Sequence, residues 1–396
     1  MRALLAFDKF KNALTAREAC SLTADVISTR RPNWDYDSCP LTDGGEGFAE
    51  ILTAAAGGTL QRVRVSGPRG VLVNAKYGLV QLKKIPAAAR TLLDLRGLPA
   101  TARIAVVEMA QASGLALLPE AMRDPWQATT YGTGQVIRSA IRAGARGVLL
   151  GIGGSATHDL GLGALSALGV KFRGADGRIV QSLSPSLWPE ISRLSDTGRT
   201  RIPPIRIACD VTNPLLGPQG AAKIYAPQKG LRARDYVRLE EATARMAARL
   251  CEHYAQPVAL TEMPGTGAAG GLSFGLICAL RAGLLPGFDL VSAWLNLPAR
   301  LGSADIVITG EGRFDLSSFN GKGPGSVVAR ALAAGIPVHV FAGAAAAMPW
   351  RAGLEVHVIT PRGRPLQLAL REAGLNLTRS LQRTFALRVQ RPRPAR

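Results

Sequence analysis

Short apolar runs recur along the 396-residue chain, each bounded by Gly, Pro or charged residues, and most have the β-branched look of buried parallel strands. The run at 4–7 leads into Asp8-Lys9-Phe10-Lys11-Asn12. Thr15-Ala16-Arg17-Glu18 then has the spacing of a capping box, opening a helix to about residue 29. A second strand at 36–40 ends in Thr42-Asp43-Gly44-Gly45-Glu46-Gly47, and a short helix over 48–56 stops at Gly57-Gly58. This βαβα start predicts a parallel sheet with its loops gathered at one edge.

The period then changes. Residues 60–65 and 71–77 alternate apolar and polar around Gly67-Pro68-Arg69-Gly70, the pattern of an antiparallel hairpin. Residues 82–101, rich in Lys, Arg, Ala and Pro, read as an insertion with a short helix. Strands follow at 104–109, 147–152 and 205–209, with helices over 134–144, 233–254 and 272–282. From about residue 287 the earlier style returns, with strands at 306–308, 338–342 and 356–360 and a helix at 327–334. The simplest topology is α/β with two domains. Residues 1–65 and 287–396 form a discontinuous parallel-sheet domain, and residues 66–286 form an inserted mixed α/β domain.

Composition narrows the class. A hydrophobic fraction of 47% with 19% charged residues is that of a globular fold, and 5% aromatics leave the core to Ala, Val, Leu and Ile. No apolar run of about 18 residues lacks charge, so no membrane span is expected. Asp8 interrupts the N-terminal apolar run too early for a signal peptide, and a cytoplasmic enzyme is expected. The five cysteines form no CxxC pair and have no His at zinc-ligand spacing, so they read as reduced thiols.

The formal net charge of +20 raises the question of a nucleic-acid partner. Only nine of the 48 basic residues are lysine, and the arginines are spread along the chain, enriched only over 379–396. Stacking aromatics and zinc, helix-turn-helix or RNP patterns are missing. The charge therefore points to an anionic small-molecule substrate, without nucleic acid.

Candidate chemistry lies in loops that follow predicted strands. Gly310-Glu311-Gly312-Arg313-Phe314-Asp315, with Gly321-Lys322-Gly323 after it, sets acids, Arg and Lys among glycines at a strand end, where α/β sheets bind ligands. Gly153-Gly154-Ser155-Ala156-Thr157 offers successive N–H groups and two hydroxyls at an expected helix N-terminus, an anion cradle. Asp43 and Glu46 pair carboxylates around flexible backbone, as Mg²⁺ coordination uses. Lys11, Lys229 and Lys322, rare lysines near glycines, are candidate phosphate contacts, and Asp210 is either a turn residue or a ligand contact. His158 reads as a satisfied polar histidine. Gly265-Thr266-Gly267-Ala268-Ala269-Gly270 fits GxGxxG only nominally, lacking the preceding strand and following acid of a dinucleotide site. No GxxxxGK[ST], HRD, DFG or GxSxG occurs, which excludes P-loop, protein-kinase and α/β-hydrolase types.

Taken together, the loops resemble the glycerate kinase family of bacterial type. The resemblance rests on Phe7-Asp8-Lys9-Phe10-Lys11, Thr42-Asp43-Gly44-Gly45-Glu46-Gly47, Glu108-Met109-Ala110, Ala112-Ser113-Gly114-Leu115 and Thr130-Tyr131-Gly132-Thr133-Gly134. It continues through the 151–157 stretch, Ala208-Cys209-Asp210-Val211, Asn213-Pro214-Leu215, Pro227-Gln228-Lys229-Gly230, Gly267-Ala268-Ala269-Gly270-Gly271 and Thr309-Gly310-Glu311-Gly312-Arg313, with the matching blocks running from residue 3 to about 345. It implies a flavodoxin-like domain made from both chain ends, a second α/β domain, and ATP and D-glycerate meeting in the cleft between them. It further implies Mg²⁺ and phosphorylation of the 2-hydroxyl to 2-phosphoglycerate, by a monomer or homodimer.

Three loops depart from the family's usual pattern. Asp-Ser-Phe-Lys-Gly has become Asp8-Lys9-Phe10-Lys11-Asn12, Asn-Asp-Gly-Gly has become His158-Asp159-Leu160-Gly161, and Leu316-Ser317-Ser318 stands for Gly-Gln-Thr. The alternative is a diverged member acting on another hydroxy acid, or binding an anion or partner. On the resemblance, Gly153, Gly154, Ser155, Thr157, Lys229, Gly270, Glu311 and Lys322 are expected to hold ATP. Asp43, Glu46 and Asp210 are expected at Mg²⁺, and Lys11, Gly44, Gly45 and Arg313 at the substrate. Asp8, Lys11, Asp43 and Asp315 are the expected catalytic groups.

Overall fold

The continuous apolar run Ala3-Leu4-Leu5-Ala6-Phe7 is fully buried along its length, as in a strand covered on both faces. The computed structural model describes residues 1–196, 201–319, 323–346 and 351–386. Among these the strands, in chain order, are β1 Arg2–Phe7, β2 Asp35–Ser38, β3 Thr59–Ser66, β4 Leu72–Gln81, β5 Arg103–Glu108, β6 Ala145–Gly151, β7 Lys171–Arg173, β8 Arg193–Ser195, β9 Ile205–Ala208, β10 Gly283–Leu285, β11 Ile306–Phe314, β12 Val338–Ala345 and β13 Leu354–Val358. They divide between two units, Met1–Thr42 with Leu295–Arg396, and Asp43–Trp294.

The first unit holds a five-stranded sheet in the order β2-β1-β11-β12-β13, parallel throughout. Counted within the unit, this is the 2-1-3-4-5 order of flavodoxin-like folds. Thr15 caps the helix Ala16–Arg30 through the capping box read from the sequence, with the Glu18 carboxylate returning to Thr15 N at 2.8 Å. That helix and Ala373–Thr384 bury Cys20, Ile27, Leu377, Leu381 and Phe385 against Leu5, Phe7, Ile308 and Phe341. The helix Gly323–Ala333 packs on β1, β11 and β12.

Two expectations change here. The first stretch of the arginine-rich end is a helix with a core face, rather than a tail; residues 387–396 lie outside the described residues. The strand expected at 306–308 runs on to Phe314, because pairing with β12 continues through Arg313↔Ala344 and Phe314↔Ala345.

The second unit is built on a six-stranded mixed sheet, β10-β9-β6-β5-β4-β3. β5, β6, β9 and β10 are parallel, and β3 and β4 form the expected antiparallel hairpin, paired from Thr59↔Leu79 to Ser66↔Leu72. The 82–101 stretch is packed in: Ala89 and Leu93 on the helix Ala87–Leu93 are fully buried, and Arg206 donates to the Leu93 and Asp94 carbonyls at 2.8 and 2.7 Å.

The units part at Thr42/Asp43 and Trp294/Leu295, earlier than residue 65 and later than residue 286. The helix Phe48–Ala55 lies against β4 and β5, and Trp294 Nε1 at the end of the helix Gly287–Trp294 donates to Leu52 O at 2.9 Å. Both helices thereby belong to the mixed-sheet unit.

Candidate functional site

In the first unit β1 stops beside Gly310, while β11 runs on to Phe314. Phe7 pairs with Gly310, and Asp8 N donates to Gly310 O at 3.0 Å, so the 8–11 turn starts beside 310–313. Asp8 is 8% exposed. Its Oδ1 accepts from Lys9 N at 2.7 Å and lies 3.6 Å from Lys9 Nζ. A Cβ on Gly323, the first residue of the helix Gly323–Ala333, would lie 3.3 Å from Asp8 Oδ2. The carboxylate thus faces a helix N-terminus, where backbone dipoles favour negative charge.

Lys11 is exposed, and its backbone N would lie 3.4 Å from a Cβ on Gly312. Arg313 is exposed and donates from Nε to Asp315 Oδ2 at 3.0 Å, while Asp315 N donates to Ser318 Oγ at 3.2 Å. Asp8, Lys11, Glu311, Arg313 and Asp315 are therefore carried by two neighbouring strand ends. Lys322 lies outside the described residues.

In the second unit the loops after β5, β6 and β9 leave one sheet edge. The 43–46 loop is laid on β6: Gly153 N donates to Gly44 O at 3.0 Å, and a Cβ on Gly153 would sit 2.8 Å from Gly45 Cα. Only glycine allows that approach. Gly45 N donates to Asp43 Oδ1 at 3.2 Å, and Glu46 is exposed. Asp210 stands at the start of the helix Gly287–Trp294, where both its oxygens lie 3.0 Å from Phe288 N. The donor atoms of Asp43, Glu46 and Asp210 do not converge to within 4.8 Å of one another.

The 153–157 loop does not open a helix. The next one is Leu162–Ala167, and the intervening turn is tied down from elsewhere. Ala156 N donates to Ser113 O at 2.9 Å and Leu160 N to Gly270 O at 3.1 Å. Lys229, 1% exposed, donates from Nζ to Thr157 O at 2.7 Å. Gly270 holds φ +66° with its Cα against the same carbonyl; a Cβ there would come within 2.1 Å of Thr157 O. Lys229 and Gly270 thus brace the loop from behind. The Thr157 hydroxyl is buried without a partner among the described residues.

Burial governs the charges around this brace. It pushes the Lys229 ammonium down to about 7, with Asp159 opposing. It pushes His158 down to about 3, with Lys229 adding to the effect. His158 is accordingly neutral; its Nε2 lies 3.0 Å from Thr243 Oγ1, and its Nδ1 has no partner among the described residues. Asp159 is fully buried, and desolvation raises its carboxyl against hydrogen bonds from Thr130 N at 2.7 Å, Thr130 Oγ1 at 2.8 Å, and Gly161 N and Gly163 N at 3.2 Å.

Sequence reasoning missed two groups. Asp159 with Thr130 is one, since Thr130 comes from a segment some thirty residues away. Glu108 is the other. It closes β5, is 1% exposed, and accepts from Ala49 N at 3.3 Å at the start of the helix Phe48–Ala55. Burial pushes its carboxyl up to about 7, and Glu46 adds to the rise. The available signal was an acid ending an otherwise apolar strand.

The left-handed positions bear on the loop departures. Asn12 holds φ +61° and Leu160 φ +53°, so each keeps backbone that glycine favours. Leu160 is fully buried in the core of its unit. The departures therefore alter side chains while leaving these turns in a glycine conformation.

Comparison with known proteins bears out the family resemblance. Residues 3–388 match the model of the Glycerate kinase family, further than the 345 read from the sequence. The chain is 38% identical over 343 residues to a glycerate kinase of Halalkalibacterium halodurans, covering 86% of this chain and 84% of that protein. It is 37% identical over 330 residues to a glycerate 2-kinase of Escherichia coli, covering 82% and 80%. A crystal structure described as a glycerate kinase 2 from Salmonella typhimurium superposes with a TM-score of 0.74 at 34% identity, covering 97% of each chain. No helix among the described residues is long and apolar enough to cross a membrane.

Proposed function

The chain belongs to the glycerate kinase family, and from that premise we propose that it transfers the γ-phosphoryl group of ATP to the 2-hydroxyl of D-glycerate. The observation that carries this reading is the family match itself, which runs through every loop described above. Phosphoryl transfer is chiefly positioning and charge neutralisation, and each loop has a part in it.

Gly153, Gly154, Ser155 and Thr157 line the ATP phosphates, with Lys229 and Gly270 fixing the loop from behind. The burial of Lys229 supports a positioning role over direct phosphate contact. Glu311 and Lys322 complete the nucleotide set. Asp43, Glu46 and Asp210 are oxygen donors of the kind Mg²⁺ takes. Their lack of convergence suits an ion that uses one or two carboxylates and fills its shell with water and phosphate oxygens. When bound, Mg²⁺ supplies charge neutralisation at the phosphates.

Lys11 and Arg313 pair with the glycerate carboxylate, Arg by its fork, while Gly44 and Gly45 admit the substrate close to backbone. Asp8 or Asp315 accepts the proton of the attacking hydroxyl. The new bond joins that oxygen to the γ-phosphorus as the bond to the β,γ-bridging oxygen breaks, releasing ADP. The preserved turns at Asn12 and Leu160 support an active enzyme over a diverged binding protein.

A coupled assay of ADP release with D-glycerate, L-glycerate and related hydroxy acids tests the reading, with ³¹P NMR of the product fixing the hydroxyl. Turnover on D-glycerate giving the 2-phosphate is expected, with large losses in Asp43→Asn and Asp315→Asn. Near-normal turnover in both variants would overturn the assigned roles; no turnover on any hydroxy acid would overturn the function.

A further inference from the structure

The chain has four histidines, and two of them meet. His339 on β12 and His357 on β13 approach to 3.0 Å between Nδ1 and Nε2. Strand register brings them together: His339 pairs with Glu355 and Phe341 with His357, so alternate residues of two parallel neighbours share one face. Glu355 Oε2 lies 3.5 Å from His339 Nδ1 and 3.8 Å from His357 Nε2. Among the described residues no other trio of His, Cys, Asp or Glu gathers its donor atoms within 4.8 Å.

We propose that His339, Glu355 and His357 form a binding site for a transition-metal dication of the Zn²⁺ class. The separations 3.0, 3.5 and 3.8 Å define a triangle whose corners are each about 2 Å from a single point, matching the bond lengths of about 2.0–2.2 Å that Zn²⁺ makes to imidazole nitrogen and carboxylate oxygen. Two imidazoles and one carboxylate select Zn²⁺, Ni²⁺, Co²⁺ or Cu²⁺ over Mg²⁺, which takes oxygen ligands. The Mg²⁺ that serves phosphoryl transfer therefore does not compete here.

The surroundings support a held site. His339 and His357 side chains are 16% and 22% exposed, and Glu355 is 66% exposed, leaving an entry path and an open fourth position for water. His357 stacks on Phe341 at 4.6 Å between centroids, and His339 meets the edge of Phe385 at 5.3 Å, so both rings are oriented by packing. Without metal, one ring donates to the other. The rings lie edge to edge, 11° between planes and 5.3 Å between centroids, so on binding the donating ring changes tautomer and both rings turn to bring their lone pairs onto the ion.

The test is a titration of the metal-stripped full chain with Co²⁺ under excess Mg²⁺, read by ligand-field absorption, followed by displacement with Zn²⁺. One equivalent of a tetrahedral-type spectrum, abolished by Zn²⁺, is expected. His357→Ala should weaken binding beyond the roughly 10–100-fold cost of losing a supporting partner, and His253→Ala should leave it unchanged. Glu355→Gln, at an exposed position, should keep the native melting temperature yet weaken binding, separating ligation from folding. No Co²⁺ spectrum, or one that survives His357→Ala and Glu355→Gln, would leave a hydrogen-bonded histidine pair and overturn the proposal.

Discussion

Lys229 donates from Nζ to the carbonyl oxygen of Thr157 at 2.7 Å, beneath the loop whose backbone the kinase reading turns toward phosphate. On the proposed function, a lysine in that position would act on ATP through the loop it holds. Lys229→Met keeps the volume and removes the donor, leaving a buried carbonyl unpaired at a cost of about 1–3 kcal/mol. Urea denaturation should show that loss, and steady-state kinetics should show a raised KM for ATP; lowered stability with unchanged KM would confine Lys229 to the fold. The pH response gives a second handle. With the folded value at about 7 and the usual value at 10.5, the unfolded chain binds more protons between them. The native chain therefore gains stability from this group as pH rises through that window, and the variant lacks the gain.

His158 provides an acid-side test. Its folded value near 3 lies below the ordinary 6.5, so its contribution is intact above 6.5 and is lost as pH falls toward 3. The slope reaches about 1.4 kcal/mol per pH unit. His158→Asn should lower the pH of acid unfolding, monitored by far-UV circular dichroism. An unchanged midpoint would mean that carboxylates dominate the transition.

Glu108 works in the opposite direction. Its folded value near 7 exceeds the ordinary 4.5, so its contribution is full below 4.5 and is lost as pH rises through 7. Glu108→Gln keeps an acceptor for Ala49 N and removes the buried charge. The variant should therefore be more stable than the native chain at pH 8 and level with it at pH 4.5. Parallel denaturation curves at both pH values decide the matter.

Asn12 and Leu160 share left-handed backbone but should respond oppositely to glycine. Left-handed backbone costs an ordinary residue about 1–2 kcal/mol. Removing a buried Leu side chain costs about 2–5 kcal/mol. Leu160→Gly should therefore destabilise, because lost packing outweighs relieved strain. Asn12 is exposed, and Asn12→Gly should be neutral or stabilising. Thermal melts of the two variants give the comparison.

Much of this was legible in the chain because it is local or periodic. The Thr15–Glu18 capping box needs four consecutive residues, and the β3–β4 hairpin declares itself by alternation. Strand ends carrying Asp8, Asp43 and Gly153 follow from apolar runs that stop at glycines and acids. Burial was not legible. Lys229 sits in a Gly-flanked turn that reads the same whether its ammonium faces solvent or a carbonyl. The 153–157 loop was expected to start a helix because Gly-Ser-Thr clusters often do; here Asp159 gathers the turn's N–H groups and delays the helix to Leu162. His339 and His357 lie eighteen residues apart in sequence, and only strand register makes them neighbours.

The hydrogen bond from Thr309 Oγ1 to Ala6 O joins residues 303 positions apart. On the ribosome β1 emerges well before its partner β11, which appears only after the whole of the mixed-sheet unit has been made. That unit is continuous in sequence and can fold during synthesis, whereas the parallel sheet must wait with Leu4, Leu5 and Phe7 uncovered. Completion waits still longer, for Leu377, Leu381 and Phe385, which follow β13 in the chain. A nascent chain stalled before Phe385 would hold one finished unit and an apolar N-terminal segment suited to chaperones.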